Sequence, residues 1–179
     1  MDARELLAYT IRLRRRVLDA LRGVPEEALT HDLRTNHRSI LQTLIHIMAV
    51  EESWIHEDIE RLPSTTWEEF KERYLAQGET LDSMIAGWDE VTRHTLEVLQ
   101  THPDLDETIA LAPPGPDRSV TLGQIVFHIA TEELIHMGEV LAMTRQQGID
   151  LPSYFLISIM DARDRPWDDL QRELKQAPA

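Results

Sequence analysis

Four long stretches of this chain carry apolar side chains at three- and four-residue spacing, and nothing of useful length alternates as a half-buried strand would. That period commits the chain to helices. Leu6, Tyr9, Leu13, Val17 and Leu21 mark the first, which ends near Gly23 and Pro25 with its arginines expected to point outward. After a polar loop the second runs from about Ser39 to Leu62, where Pro63 stops it, and is apolar around much of its circumference. Thr66 and Glu69 form a capping-box pair ahead of a short helix that Gly78 ends. The third long helix carries Leu81, Met84, Ile85, Trp88, Val91, Thr92, Thr95 and Leu99 before Pro103. A proline-rich loop leads to Thr121 and a fourth helix through Gln147, closed by Gly148. The reading is an all-α four-helix bundle over residues 1–150 with additional short helices. Residues 151–179 are expected as a helical extension on the same domain, with a short helix near Tyr154 to Met160. Periodicity does not choose between crossover and up-and-down topology.

Composition narrows the chemistry. Eighteen basic against 32 acidic side chains leave a formal charge of −14, which opposes phosphate-backbone binding, so no nucleic-acid partner is expected. With no cysteine there is no disulfide, no thiolate site and no cysteine nucleophile, and any transition metal must sit on nitrogen and oxygen. The opening MDARELLAY lacks the apolar core of a signal peptide, and no apolar run approaches the length of a bilayer span. A cytoplasmic location without membrane association is the expectation. Nucleophile elbow, Walker loop and dinucleotide glycine fingerprint are all absent.

Chemistry concentrates on the fourth helix. His128, Glu132 and His136 are separated by two i,i+4 steps, each turning only about 40°. Glu132 and His136 fall within the apolar stripe of Leu122, Ile125, Ile129, Val140 and Met143, and a carboxylate in such a place needs a metal, a base or a hydrogen-bonded role. On the second helix His46 borders the face of Thr43, Ile47, Val50 and Trp54. Packing the two helices together makes His46, Glu132 and His136 a two-His, one-carboxylate set suited to one Zn2+, Ni2+ or Fe2+ with open positions. Glu51 also interrupts the apolar arc and is a candidate to assist as a base, to orient a ligand or to meet a buried Arg. His128 and Trp54 are candidate pocket-lining residues. His31, His37, His56, His94 and His102 read as loop or solvated-face residues. HExxH is absent, and a di-iron centre fails because only Glu133 and His136 show the Glu-x-x-His spacing.

The segments Leu44-Ile-His46-Ile-Met-Ala-Val-Glu51-Glu-Ser-Trp54 and His128-Ile-Ala-Thr-Glu132-Glu-Leu-Ile-His136-Met-Gly-Glu139 resemble the DinB/YfiT-like superfamily, which includes mycothiol-dependent maleylpyruvate isomerases and related thiol transferases. The resemblance covers most of the first 148 residues. It implies a metal-binding bundle, often with zinc or nickel, in which His46 matches the first ligand and His136 the last. Glu132 stands where the commoner pattern has His, as in the isomerase branch, and Met137 replaces the Arg of the family's His-Arg-Gly-Gln. It further implies a homodimer, a small-molecule substrate and a low-molecular-weight thiol as co-substrate. Transferase, isomerase and hydrolase chemistry all fit an open metal site. A non-haem iron oxygenase and a non-enzymatic, stress-associated helical bundle are the alternatives.

Overall fold

Capping residues begin each long helix where the sequence places them. The computed structural model describes residues 2–111, 118–151, 159–161 and 163–176. Helix α1 spans Ala3–Leu21, with the Asp2 side chain accepting from the Glu5 amide. Helix α3 spans Ile40–Ser53 behind Ser39, and α5 spans Leu81–Thr101 behind Thr80. The capping box of Thr66 and Glu69 opens α4 (Trp67–Tyr74), and a second one, Thr121 with Gln124, opens α6 (Leu122–Gln146). Each hydroxyl satisfies an amide that the helix itself leaves unpaired.

Three features depart from the sequence reading. A short helix α2, Glu26–Thr30, occupies part of the expected polar loop. The second long helix does not stay α-helical: after Ser53 it widens into a π-helical segment, Trp54–Ile59, with the Glu60 amide bonded back to Ile55. Strands β1 (Thr108–Ala110) and β2 (Ser119–Thr121) form an antiparallel pair, with Ile109 opposite Val120. Three residues per strand are too few to show alternation. Helix α7 covers Pro166–Gln176, inside the segment read as a helical extension, and the short helix expected near Tyr154 to Met160 falls largely outside the described residues.

Packing settles the topology. Helix α1 lies chiefly on α6, α6 on α3, and α3 on α5, with α7 bridging α1 and α5. The consecutive long helices α1 and α3 are therefore not principal neighbours, as a crossover connection requires and an up-and-down bundle does not. Two apolar clusters fill the bundle. One centres on Leu44, Met48, Met84 and Trp88, the other on Leu7, Ile11, Ile125 and Leu170. Burying each such side chain stabilises the fold by about 1.5–3 kcal/mol. At Gly87 the backbones of α4 and α5 approach so closely that a Cβ would lie 2.5 Å from the Tyr74 carbonyl oxygen. Among the described residues no helix is long and apolar enough to cross a membrane.

Candidate metal centre

The site is built from a loop and two helices. Ser39 starts α3 by accepting from the Gln42 amide at 3.2 Å, which sets His46 near the middle of the helix. Before it, Asp32 holds the Arg38 guanidinium at 3.1 and 2.9 Å and the Arg34 amide at 2.9 Å. The Leu33 amide closes the loop on the Arg38 carbonyl at 2.7 Å, and Thr35 ties it to Met143 of α6. Arg34 and Arg38 both adopt left-handed backbone, φ 58° and 67°, on either side of His37. Side chains with a Cβ adopt that region at a cost of about 1–3 kcal/mol each, and such residues concentrate at functional sites.

That turn delivers His37 onto His46. Their rings stack with centroids 3.9 Å apart and planes 19° from parallel. His136 of α6 meets both edge-on, at 5.1 Å from His37 and 4.9 Å from His46. One nitrogen from each of the three rings lies within 4.8 Å of the others, a donor set that could hold a metal ion. Glu132 stands at its edge, with Oε1 3.1 Å from His136 Nε2 and 4.0 Å from His46 Nε2. On the far side of the His136 ring, Nδ1 is 2.8 Å from Glu139 Oε2. The cluster borders an open cavity of ≈ 710 Å³ lined by His37, His46, Ser39, Gln42 and Trp67 among others.

Electrostatics favour the neutral form of His37 and His46. Burial, then the charge of His136, holds His37 below the ordinary histidine range. Burial, then His37 and His136, does the same for His46. Glu132 and Glu139 pull both the other way, more weakly. Neutral imidazoles keep the lone pairs that ligation requires.

The sequence-predicted residues are only partly brought together. His46, Glu132 and His136 lie close together, but the three-donor group contains His37, which reads in the sequence as a loop residue, in place of Glu132. Its signal was faint: nine residues before His46, in an aperiodic loop. His128 is exposed and touches Trp54 edge-on at 5.0 Å, two helical turns or about 12 Å along α6 from His136. The ring pair exists, on another part of the helix.

Glu51 is committed elsewhere. It is 1% exposed and accepts from Arg14 at 2.8 Å, from Trp88 Nε1 at 2.8 Å and from Thr95 at 2.9 Å. Of its three candidate uses, the structure displays the meeting with a buried Arg. Arg14 itself corrects the expectation that the α1 arginines face solvent: it is 3% exposed, lies over the Trp88 ring at 4.1 Å and donates to Thr92. Its place seven residues after Leu7 and three after Ile11, on the apolar side, is the signal that marks it. Glu133, also unsuspected, lies 3.4 Å from the same Arg14 nitrogen that meets Glu51. Burial pushes its carboxyl up to about 7, aided by the Glu51 charge and opposed by Arg14.

No curated protein matches the chain. The model of the DinB family matches residues 1–169, which takes in every bundle helix and all of the histidine cluster. By that match over nearly its whole length, the chain belongs to the DinB family.

Proposed function

We propose that this protein is a divalent-metal enzyme that activates a small nucleophile, such as a low-molecular-weight thiol, toward an electrophilic small molecule in a transferase or isomerase reaction. One observation carries the reading: three imidazoles, from a strained loop and two helices, converge beside a carboxylate at the wall of an open cavity. A bundle core does not need that arrangement for packing. The donors fit Zn2+, Ni2+ or Fe2+, all of which accept imidazole nitrogen. When bound, such an ion would supply the positive charge that lowers the pKa of a thiol or water at neutral pH.

The chain's own groups have distinct roles in this reading. His37, His46 and His136 hold the ion through one nitrogen each, and Glu139 accepts from His136 Nδ1, turning Nε2 of that ring toward the cluster. Glu132, beside the imidazoles and partly exposed, takes the proton that the nucleophile gives up. The cavity bounded by Gln42, Ser39 and Trp67 receives the electrophile. A homodimer in the cytoplasm is the form we assign to the enzyme.

The test is metal analysis and thiol consumption on protein purified without an affinity tag. Wild type is expected to carry close to one divalent ion at this cluster, and His136→Ala to lose both that ion and any metal-dependent thiol consumption. Equal trace metal in the two proteins would refute the reading.

A further inference from the structure

Two bulky apolar side chains stand out from the surface of one helix. On α6, Phe127 is 53% and Ile135 is 61% exposed, and with Thr131, Gly138 and Ala142 they lie within about 40° of one line along the helix. That line runs opposite the buried stripe of Leu122, Ile129, Val140 and Met143, and α6 packs on α1 and α3. Little polar capacity faces outward along it. Thr131 turns its hydroxyl back to the Phe127 and His128 carbonyl oxygens, at 2.9 and 3.0 Å. The acids of α6 stand about 80° or more from the line, Glu133 beside Arg14 and both Glu132 and Glu139 against His136.

Gly138 is the residue that packing within the chain does not explain. A Cβ there would meet nothing within 4 Å, whereas at Gly87 and Gly123 it would press on backbone oxygens at 2.5 and 3.1 Å. A glycine inside a helix costs about 1 kcal/mol relative to alanine, and one of its uses is to admit another backbone at close range. No described residue supplies that backbone. Which one fits follows from the order of large and small residues. Two α6 helices laid antiparallel about a two-fold axis beside Leu134 and Ile135 put Thr131 over the partner's Gly138 and Phe127 between the partner's Gly138 and the partner's Ala142. Ile135 then meets its own copy across the axis. Each bulky group faces a small one or itself, the self-complementarity that a two-fold contact requires. Charge points the same way: the chain carries −14, and two copies repel least where neither presents a carboxylate.

We propose that this face of α6 is the contact between two copies of the chain, packed antiparallel about that two-fold axis. It gives the homodimer assigned above, on which it rests, a defined interface. Gly138 admits the partner helix, and Phe127 and Ile135 leave water on association.

The experiment is sedimentation of the full chain over a range of concentrations, with far-UV circular dichroism to confirm that each variant is folded. Wild type is expected to dimerise. Ile135→Glu and Ile135→Arg should each weaken association at least about a hundredfold, because each sets two like charges side by side, and an equimolar mixture of the two should recover it. The chain has no cysteine, so the register is read with single thiols, which also keeps the test valid should a charged variant fail to fold. Ile135→Cys is expected to cross-link to its own copy through a short bis-maleimide. Phe127→Cys, more than about 20 Å from its own copy, should cross-link only when mixed with Ala142→Cys. Dimers that persist in both charge variants would keep the homodimer and overturn this interface, whereas a wild type that is monomeric at every concentration would overturn both. Self-cross-linking of Phe127→Cys as readily as Ile135→Cys would overturn the antiparallel packing.

Discussion

His37 lies flat against His46, its ring centroid 3.9 Å away, although nine residues of chain separate them. Two protonated imidazoles would repel at that distance, and burial, followed by the charge of His136 for His37 and of His37 and His136 for His46, lowers both below the usual histidine range. The stack is thus a pair of neutral donors facing His136. The loop that makes it holds two arginines in left-handed backbone, so its conformation is maintained against local preference.

His37→Ala is expected to weaken divalent-metal affinity by at least about tenfold, the scale seen when even supporting groups of a metal site are removed. Because His37 is only half-buried, the unfolding midpoint of the metal-free protein should shift little. Competition with a chromophoric chelator measures the first quantity and urea denaturation the second. Unchanged affinity would place His37 outside the ligand set.

Glu51→Ala removes the acceptor of three buried donors and leaves Arg14 with its charge poorly compensated. Breaking a buried ion pair from one side costs about 3–5 kcal/mol. The expected outcome is a large fall in unfolding free energy with the metal content of the folded fraction unaltered. Loss of metal at undiminished stability would return Glu51 to the metal centre.

Glu133 carries a pH signature. Its carboxyl titrates near 7 in the folded protein against an ordinary 4.5, so the fold prefers the protonated form. Its contribution is whole below pH 4.5 and is lost as pH rises to about 7. Glu133→Gln, neutral at every pH, should therefore gain on wild type across that window and keep a constant advantage above it. Urea denaturation of both proteins at pH 5 and pH 8 reads the difference, and parallel behaviour would contradict the placement of the carboxyl.

Gly87→Ala separates packing from propensity. In an open helix the change favours the fold by up to about 1 kcal/mol. Here the added methyl would meet the Tyr74 backbone at 2.5 Å, and overpacking of this kind costs about 1–3 kcal/mol. A lowered melting temperature is expected, and a raised one would mean that α4 and α5 are less tightly apposed.

The parts legible in the sequence were those with a repeat to read. Leu6 to Leu21 and Leu81 to Leu99 declared helices by period, and Thr66 with Glu69 declared a helix start by capping chemistry. The juxtaposition of His46 with His136 followed from packing two stripes together. What stayed hidden had no period: the Ile109–Val120 pairing is three residues long, and His37 depends on two backbone conformations that arginine rarely adopts. Arg14 was hidden for another reason. Its wheel position is apolar, but charge suggested the surface, and only the converging Glu51, Glu133 and Trp88 make burial tolerable.

The central claim, that three imidazoles enclose one divalent ion, is tested most directly by anomalous diffraction from crystals of tag-free protein grown without added chelator. The account predicts a peak about 2.0–2.1 Å from one nitrogen each of His37, His46 and His136, with Glu132 beside it. A map with no peak there, with the rings bonded only to Glu132, Glu139 and solvent, would contradict it.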